Sequence, residues 1–288
     1  MKPPTIEELI GGISSSLGSH GPVIEEIETA VQSPECSLVT VGEAIEKDPD
    51  LTARLLRLAN SPFYGFSSRL STVAEAISLI GIQQVQDLIL ASSIVEQFTG
   101  ISDEFVSMES FWKHSLACGI AERHLALDRR LPKADKLFVA GLLHDIGRLV
   151  LLAESPEAAQ RVFEEYRQER QLLREAEKKV LGYDHQNIAE ALMKHWKYPA
   201  NLVQAVACHH QPQASVLSPK EAAVIHVSDH LVNAMQIGSS GEHFVPPLNM
   251  KAWEALELST DDLSSMVEKI DEQLVAAQEV FLSHVAKS

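Results

Sequence analysis

Apolar residues along the chain recur at steps of three and four, which places them on one face of an α-helix, and few segments alternate as β-strands do. One helix is predicted to begin at Asp48-Pro49, with Asp48 as its N-cap and Pro49 as its first helical residue. Thr72 and Glu75 have the spacing of a capping box at the start of another helix. The pattern therefore predicts an all-α fold.

The helical pattern is interrupted between Thr99 and Asp103, where Gly100 and polar residues replace the apolar stripe. This break predicts an N-terminal helical bundle over residues 1–98 and a second helical domain over residues 99–288. The helices predicted in the second domain are Glu104–Leu127, Ala134–Leu152, Pro156–Leu181, Gln186–Trp196, Ala200–His210, Pro219–Met235 and Asp261–Ala286.

The composition is that of an ordinary globular protein, with 45% hydrophobic and 22% charged residues. Forty Asp and Glu residues against 24 Lys and Arg residues leave a formal net charge of −16. Both predicted domains are acidic, with 5 basic against 13 acidic residues in the first and 19 against 27 in the second. Because an acidic surface repels phosphate backbones, broad electrostatic binding to nucleic acid is not expected.

The sequence also bears on the compartment of the protein. No run of 18 apolar residues is present, and the N-terminal segment lacks the basic and apolar regions of a secretory signal. Cys36, Cys118 and Cys208 are few, odd in number and widely separated, so neither a disulfide framework nor a CxxC zinc ribbon is predicted. A cytoplasmic protein without membrane contact is the expectation.

The strongest candidate chemistry is the pair His144-Asp145 in the segment GLLHDIGR. Imidazole nitrogen and carboxylate oxygen together suit iron, manganese, zinc or nickel, and seven such residues can bridge two ions. The candidate metal ligands are His114, His144, Asp145, His185, His209, His210 and Asp229. The alternative is a cluster of hydrogen-bonded polar residues that holds no metal. Gly141 and Gly147 flank the pair and leave room either for close helix packing or for a ligand.

The order of His114, His144-Asp145 and Asp229 resembles the H…HD…D pattern of the HD-domain metal-dependent phosphohydrolases. Longer segments resemble one branch of that superfamily, the HDOD domain (HD-related output domain) of bacterial signalling proteins. These segments, found between Gly21 and Asn233, are ANSPFYG, ISLIGIQQV, FWKHSLACG, GLLHDIGRLVLL, GYDHQNIAEALMKHWKYP and AVACHHQP. The resemblance implies an N-terminal helical bundle packed on a helical domain of HD type. It also implies a regulatory protein without catalytic activity, associated with response regulators.

The chain is also similar to the HD-GYP phosphodiesterases of cyclic di-GMP, whose binuclear metal site has the order H…HD…H…HH…D. Each of the seven candidate ligands matches a place in that order. The chain departs from the pattern in two respects. QPQASVL replaces the GYP signature after the paired histidines, and Arg148 stands where those enzymes usually carry lysine. These departures bear on substrate recognition and activity, and not on metal binding.

The first functional hypothesis is a signalling protein that binds protein partners and performs no turnover. Its candidate surface surrounds Asn60–Arg69, close to Arg54 and Arg57. The surface begins with an aromatic, turn-rich run formed by Asn60, Ser61, Pro62, Phe63, Tyr64 and Gly65. The alternative for Phe63 and Tyr64 is that they only pack the two predicted domains together. The sequence names neither the partner nor an oligomeric state.

The second hypothesis is a metal-dependent phosphohydrolase or phosphodiesterase. In that case Asp145 would ligate or bridge the metal ions, and Arg148 would hold a phosphate by paired hydrogen bonds. A third hypothesis lies between the two, in which the metal site persists as a structural or ligand-sensing element after catalysis was lost.

Overall fold

The computed structural model describes residues 2–17, 26–27, 29–30, 37–61, 64–98, 101, 103–132 and 134–282. Regular structure in these ranges is helical, with no strand, which confirms the all-α prediction. In chain order the helices are α1 (Ile6–Leu17), α2 (Leu38–Glu46), α3 (Pro49–Ala59), α4 (Val73–Ile80), α5 (Ile82–Gln97), α6 (Met108–Asp128), α7 (Ala134–Leu143), α8 (Ile146–Glu154), α9 (Pro156–Glu169), α10 (Leu173–Leu181), α11 (His185–His195), α12 (Ala200–Ala207), α13 (Pro219–Ala234), α14 (Met250–Ala255) and α15 (Thr260–Phe281).

The chain divides into two compact units, each assembled from two stretches of sequence. The larger unit comprises Met1–Ser16 and Phe98–Ile270, and the smaller unit comprises Leu17–Gln97 and Asp271–Ser288. All seven candidate metal ligands belong to the larger unit. The assignment of residues 1–98 and 99–288 to two domains stays a prediction.

Helices of the smaller unit begin at the capping residues that the sequence predicts. Asp48 Oδ1 accepts hydrogen bonds from the backbone N–H groups of Asp50 and Leu51 at 2.9 and 3.0 Å. Thr72 and Glu75 form the capping box of α4. Apolar side chains of α2 to α5 make the buried core, which includes Val41, Ile45, Leu55, Leu58, Val73, Ile77, Val85 and Ile94.

The turn that follows α3 is held by the side-chain amide of Asn60. Asn60 Oδ1 accepts a hydrogen bond from the Leu70 backbone N–H at 2.7 Å, and Asn60 Nδ2 donates to the Leu70 carbonyl at 2.9 Å. The rings of Tyr64 and Phe66 stack with their centroids 5.7 Å apart. Asn60 therefore ties the end of α3 to Leu70 and closes the loop that carries Tyr64 and Phe66.

An open groove of about 960 Å³ runs along this segment within the smaller unit. Arg57 and Arg69 line the groove and are exposed, whereas Arg54 is buried. The positive charge at the groove therefore comes from Arg57 and Arg69, and Glu279, which also lines it, adds an exposed negative charge. Pro62 and Phe63 lie outside the described residues.

Glycine residues allow helices of the larger unit to pack backbone against backbone at two points. A methyl carbon added at Gly141 on α7 would lie 2.6 Å from the backbone of Gly119 on α6. A methyl carbon added at Gly147 on α8 would lie 2.1 Å from the carbonyl oxygen of His185. Because any side chain would collide with backbone at these points, both glycines next to the His-Asp pair serve helix packing.

The His144-Asp145 pair lies in a turn between α7 and α8, so the prediction of one helix over Ala134–Leu152 is wrong. Asp145 has φ −102° and ψ 9°, which departs from helical geometry and separates the two helices. His144 Nδ1 is 2.7 Å from the Gly141 carbonyl oxygen, to which it donates a hydrogen bond that replaces part of the helical ladder. The turn directs both side chains toward the interior.

The predicted helix Pro156–Leu181 is likewise two helices, α9 and α10. Arg170 adopts a left-handed conformation with φ 50° and ends α9. The short helix α14, which the sequence pattern did not indicate, begins where Asn249 caps the backbone N–H of Lys251.

Among the described helices, none is by itself both long and apolar enough to cross a bilayer. The pair Val73–Ile80 and Ile82–Val95 meets that requirement only jointly, across a bend of 110°.

Candidate metal centre

Separate stretches of the larger unit bring the seven candidate ligands together. His114 lies on α6, His144 and Asp145 in the α7–α8 turn, His185 at the start of α11, His209 and His210 just after α12, and Asp229 on α13. All of them are buried except His210, which is half-buried. Because residues 115 positions apart in sequence meet here, the geometry is imposed by the packing of the helices.

The first position of the centre is formed by His114, Cys118, His144 and Asp229, whose ligand atoms all lie within 4.8 Å of one another. Asp229 Oδ1 is 3.2 Å from His114 Nε2 and 3.6 Å from His144 Nε2. Cys118 Sγ is 3.6 Å from His114 Nε2. Asn233 Nδ2 donates a hydrogen bond of 2.7 Å to Asp229 Oδ1 and orients that carboxylate.

The second position is formed by Asp145, His185, His209 and His210, again within 4.8 Å. His185 Nε2 is 3.1 Å from Asp145 Oδ1 and 3.1 Å from His210 Nε2. Asp145 Oδ2 is 3.2 Å from His144 Nε2 of the first position. Asp145 therefore turns one oxygen toward each position, as a bridging carboxylate would.

Backbone hydrogen bonds orient two of the imidazole rings. His144 Nδ1 donates to the Gly141 carbonyl and His209 Nδ1 donates to the Val206 carbonyl, each at 2.7 Å. Within the described part of the chain, the buried Nε2 atoms of His144 and His209 have no hydrogen-bond partner. A histidine that binds metal usually has this arrangement, since its second nitrogen donates to a carbonyl or carboxylate. The donor set thus fits a divalent ion.

Arg148 links the centre to two further elements. Its Nη1 donates to Asp145 Oδ2 at 2.8 Å and to Ser240 Oγ at 2.6 Å, and its Nε donates to Glu177 Oε1 at 3.0 Å. The other oxygen of Glu177 accepts hydrogen bonds from the backbone N–H and Nδ1 of His185, at 2.9 and 2.6 Å. Glu177 therefore orients both Arg148 and His185.

The buried carboxylates beside Arg148 are ionised. Burial opposes the ionisation of Asp145, but the charges of Arg148 and His144 outweigh it and hold its pKa well below the usual value. Burial likewise opposes ionisation of Glu177, while His185 and Arg148 lower its pKa to about 2. The centre thus carries fixed negative charge that requires buried cations.

The pKa of His144 in the first position and the pKa of His209 in the second position shift in opposite directions. Burial lowers the pKa of His144, but Asp145 and Asp229 overcome this effect and raise it well above the usual value. The protein thus favours a positive charge between His144 Nε2 and the two carboxylates. Burial, together with His144 and His185, lowers the pKa of His209 to about 3, which leaves a neutral imidazole able to bind metal.

A cavity of about 220 Å³ opens beside the centre. Asp145, Asp229 and His210 contribute to its wall from the metal side, and Arg148 and Arg174 add two guanidinium groups. The cavity therefore combines donor groups for a cation with basic groups for an anion.

Sequence reasoning missed four buried residues of this region. Cys118 and Glu122 follow His114 at steps of four on α6, and that spacing alone could have indicated a shared face. Burial raises the pKa of Glu122 well above the usual value, which favours the protonated form of this carboxyl group. Glu177 and Ser240 lie far from the ligands in sequence, and no motif indicates them.

The family of the chain follows from its match to the model of the HDOD domain, which extends over residues 17–212. The chain belongs to the HDOD-domain family. This HDOD protein is 25% identical over 191 residues to an uncharacterized protein of Treponema pallidum (strain Nichols). The match covers 64% of the chain but only 36% of the Treponema protein, so most of that relative lies outside the shared region.

Solved structures share this fold at low sequence identity. An HDOD domain protein of unknown function from Geobacter sulfurreducens has a TM-score of 0.74 at 22% identity, with 96% of this chain and 98% of that chain covered. A "putative signal transduction protein" from Marinobacter aquaeolei VT8 has a TM-score of 0.69 at 18% identity, with 96% and 65% covered. A "putative metal-dependent phosphohydrolase" from Shewanella amazonensis SB2B has a TM-score of 0.65 at 19% identity, with 96% and 99% covered.

Proposed function

We propose that this HDOD protein is a bacterial regulatory protein that holds divalent metal in its larger unit and acts through contacts with other proteins. The observation that carries the proposal is the convergence of seven ligand-type side chains on one buried centre. Unpaired, buried polar atoms are costly, so a centre with open imidazole nitrogens is best explained by a cation that satisfies them.

The first and second positions would hold the ions, with Asp145 between them. A bound divalent ion would supply positive charge to carboxylates that otherwise depend on Arg148 and on a protonated His144. Metal binding of this kind competes with protons, so affinity should fall as pH decreases.

A role without turnover is supported by the state of Arg148. Its Nε and Nη1 atoms donate hydrogen bonds to Glu177, Asp145 and Ser240, so these donors are engaged within the protein and are not offered to a substrate. The segment after His209-His210 reads QPQASVL and lacks the GYP signature of the related phosphodiesterases. A phosphodiester substrate would therefore lack both the free Arg148 donors and the GYP residues for its recognition.

The second candidate function is a metal-dependent phosphohydrolase, and the cavity beside the centre favours it. Arg174 joins Arg148 in lining this cavity, and arginine is the side chain best suited to bind phosphate. When bound, metal ions would activate water and stabilise developing negative charge. A cavity of about 220 Å³ is small for a dinucleotide but can accept a phosphate group.

Metal content is the first test. Untagged protein is stripped with EDTA, incubated separately with Fe²⁺, Mn²⁺ and Zn²⁺, desalted and measured by elemental mass spectrometry. We expect at least about one ion per chain for wild type and for the exposed control His243→Gln, and a clear reduction for His144→Gln. Less than about 0.1 ion per chain with every metal would refute the metal centre.

Turnover is the second test, and it separates the two candidate functions. The loaded protein is incubated with cyclic dinucleotides and with a chromogenic phosphodiester. A regulatory role predicts no metal-dependent hydrolysis. Hydrolysis that disappears in Asp145→Asn would instead establish the phosphohydrolase, while hydrolysis that survives in this variant would show that the activity does not arise from the centre.

The groove of the smaller unit provides the test for protein contacts. Proteins captured from cells are compared between wild type and the charge reversals Arg57→Glu and Arg69→Glu, with Lys194→Glu as an exposed control in the larger unit. Loss of a specific partner in the groove variants but not in the control would support the surface. Identical capture by all four proteins would exclude the groove as the contact surface.

A further inference from the structure

Cys118 is the only member of the first position that the HD pattern does not include. It follows His114 by four residues on α6, so both side chains lie on the same face of the helix. Both are completely buried, and Cys118 Sγ is 3.6 Å from His114 Nε2. The buried Nε2 of His144 belongs to the same group of atoms and makes no hydrogen bond, although Asp145 and Asp229 oxygens lie 3.2 and 3.6 Å away, and this is a second, independent sign of a ligand.

The distances within the first position match those of a tetrahedral ion. Ligand atoms bonded to such an ion at about 2.0–2.3 Å are held about 3.3–3.8 Å apart. The measured separations are 3.2 Å between Asp229 Oδ1 and His114 Nε2, 3.6 Å between Asp229 Oδ1 and His144 Nε2, and 3.6 Å between His114 Nε2 and Cys118 Sγ. The remaining separations are below 4.8 Å, so all four atoms can reach one ion with small adjustments.

We propose that the Cys118 thiolate is the fourth ligand of the first position, which is thereby a closed His₂-Asp-Cys site selective for zinc. This inference rests on the proposed metal centre and deepens it. On binding, the thiol gives its proton to solvent and a metal–sulfur bond forms, with no change in oxidation state. Four protein ligands on a tetrahedral ion characterise structural sites, since catalytic sites keep one place open.

Charge and ligand type support zinc at this position. Asp229 and the Cys118 thiolate contribute two negative charges, which balance a divalent ion in a buried site. A thiolate is a soft ligand that suits zinc, whereas carboxylate and water ligands suit magnesium and manganese. The Asp145 oxygen near this position is already bonded to Arg148, so without Cys118 the ion would have Asp229 as its one carboxylate ligand that no arginine of the described chain balances.

Cobalt provides the spectroscopic test, because Co²⁺ bound to thiolate absorbs in the near-ultraviolet. Three proteins are stripped with EDTA and titrated with CoCl₂: the wild type, Cys118→Ser and Cys208→Ser. Bound cobalt is measured by elemental analysis on the same samples. Cys208 is the matched control because it is also a free cysteine and does not belong to either position. We expect the thiolate band in wild type and Cys208→Ser and its loss in Cys118→Ser, with zinc affinity at least about tenfold weaker.

Zinc X-ray absorption of the wild type gives a result that does not depend on how the variants fold. One sulfur neighbour at about 2.3 Å is expected in protein loaded with a single zinc ion. Bound metal without a sulfur neighbour, or a cobalt band that persists in Cys118→Ser, would overturn the role of Cys118 and leave the metal centre standing. Absence of any bound metal in wild type would overturn both.

Discussion

Replacement of Arg148 by methionine tests the charge balance of the centre. Arg148 is 5% exposed and donates hydrogen bonds to Asp145 and Glu177, two ionised carboxylates that are 2% exposed each. Methionine keeps much of the length and the apolar stem but can neither donate these bonds nor carry charge. The variant therefore leaves two buried carboxylates without their shared cation.

The expected cost follows from this burial. Removing one partner of a buried ion pair typically destabilises a protein by about 3–5 kcal/mol, because the remaining charge stays desolvated. Asp145 also contacts His144, and Glu177 also contacts His185, so protonated histidines can take over part of the compensation. We therefore expect the free energy of unfolding to fall by about 3 kcal/mol, near the lower limit of that range.

The matched control is Lys194→Met, which removes an exposed ion pair of 2.6 Å with Glu190 on α11. Their side chains are 64% and 34% exposed, and pairs of this kind contribute about 0.3–0.5 kcal/mol. Both variants and the wild type are unfolded with urea in EDTA at neutral pH and followed by far-ultraviolet circular dichroism. A loss in Arg148→Met no larger than in the control would refute the view that Arg148 compensates a buried charge.

Three further predictions concern stability in EDTA, each measured by urea unfolding. Gly147→Ala should lower the free energy of unfolding by about 3 kcal/mol or more, because its methyl group would lie 2.1 Å from the His185 carbonyl oxygen. The control Gly11→Ala on α1 meets no atom within 4 Å and should raise the free energy of unfolding by up to about 1 kcal/mol, and equal effects of the two substitutions would contradict the close packing at Gly147. The lowered pKa of Glu177 means that the unfolded chain takes up a proton first as pH falls, so this group should contribute a loss on the order of 3 kcal/mol between pH 4.5 and about 2. Glu177→Gln should lose less stability than wild type over this range by about that amount, because Asp145 and Asp229 still contribute to the loss. The raised pKa of Glu122 has the opposite sign: wild type should lose stability as pH rises above 4.5, by about 1.4 kcal/mol per pH unit, and an unchanged slope in Glu122→Gln would show that another group is responsible.

Local features of the fold could be predicted from the sequence because neighbouring residues determine them. Asp48 caps α3 and the box of Thr72 and Glu75 caps α4, as the short-range pattern indicates. The turn at His144-Asp145 could not be predicted in this way. It interrupts a continuous apolar pattern and depends on the hydrogen bond from His144 to Gly141 and on helix packing.

The candidate site was predictable only as far as the family pattern extends. All seven predicted ligands meet in the centre, since each matches a place in the HD-type order. The hydrogen-bond partners of Arg148 were not predictable, because Glu177 and Ser240 lie 29 and 92 residues from it in sequence. Cys118 lies one helical turn from the predicted ligand His114, but the family pattern has no cysteine at that place and so does not indicate it.

The contacts of the three ionised carboxylates indicate which position of the centre has the greater need for a metal ion. Asp145 and Glu177 share the permanent charge of Arg148, so the protein itself compensates them. Among the described residues, the Asp229 side chain accepts a hydrogen bond from Asn233 and forms its ion-pair contacts with the ring nitrogens of His114 and His144, so a proton or a metal ion must compensate its charge. Asp145 is the one carboxylate among the four ligands of the second position, and its charge is already balanced by Arg148, which bonds Oδ2 while Oδ1 faces His185. An ion in the second position therefore gains less from Asp145 than an ion in the first position gains from Asp229, where it replaces protons. The first position should therefore fill first and bind more tightly, and a calorimetric titration with Zn²⁺ should show its stronger phase weakened by substitution of His114 but not of His210.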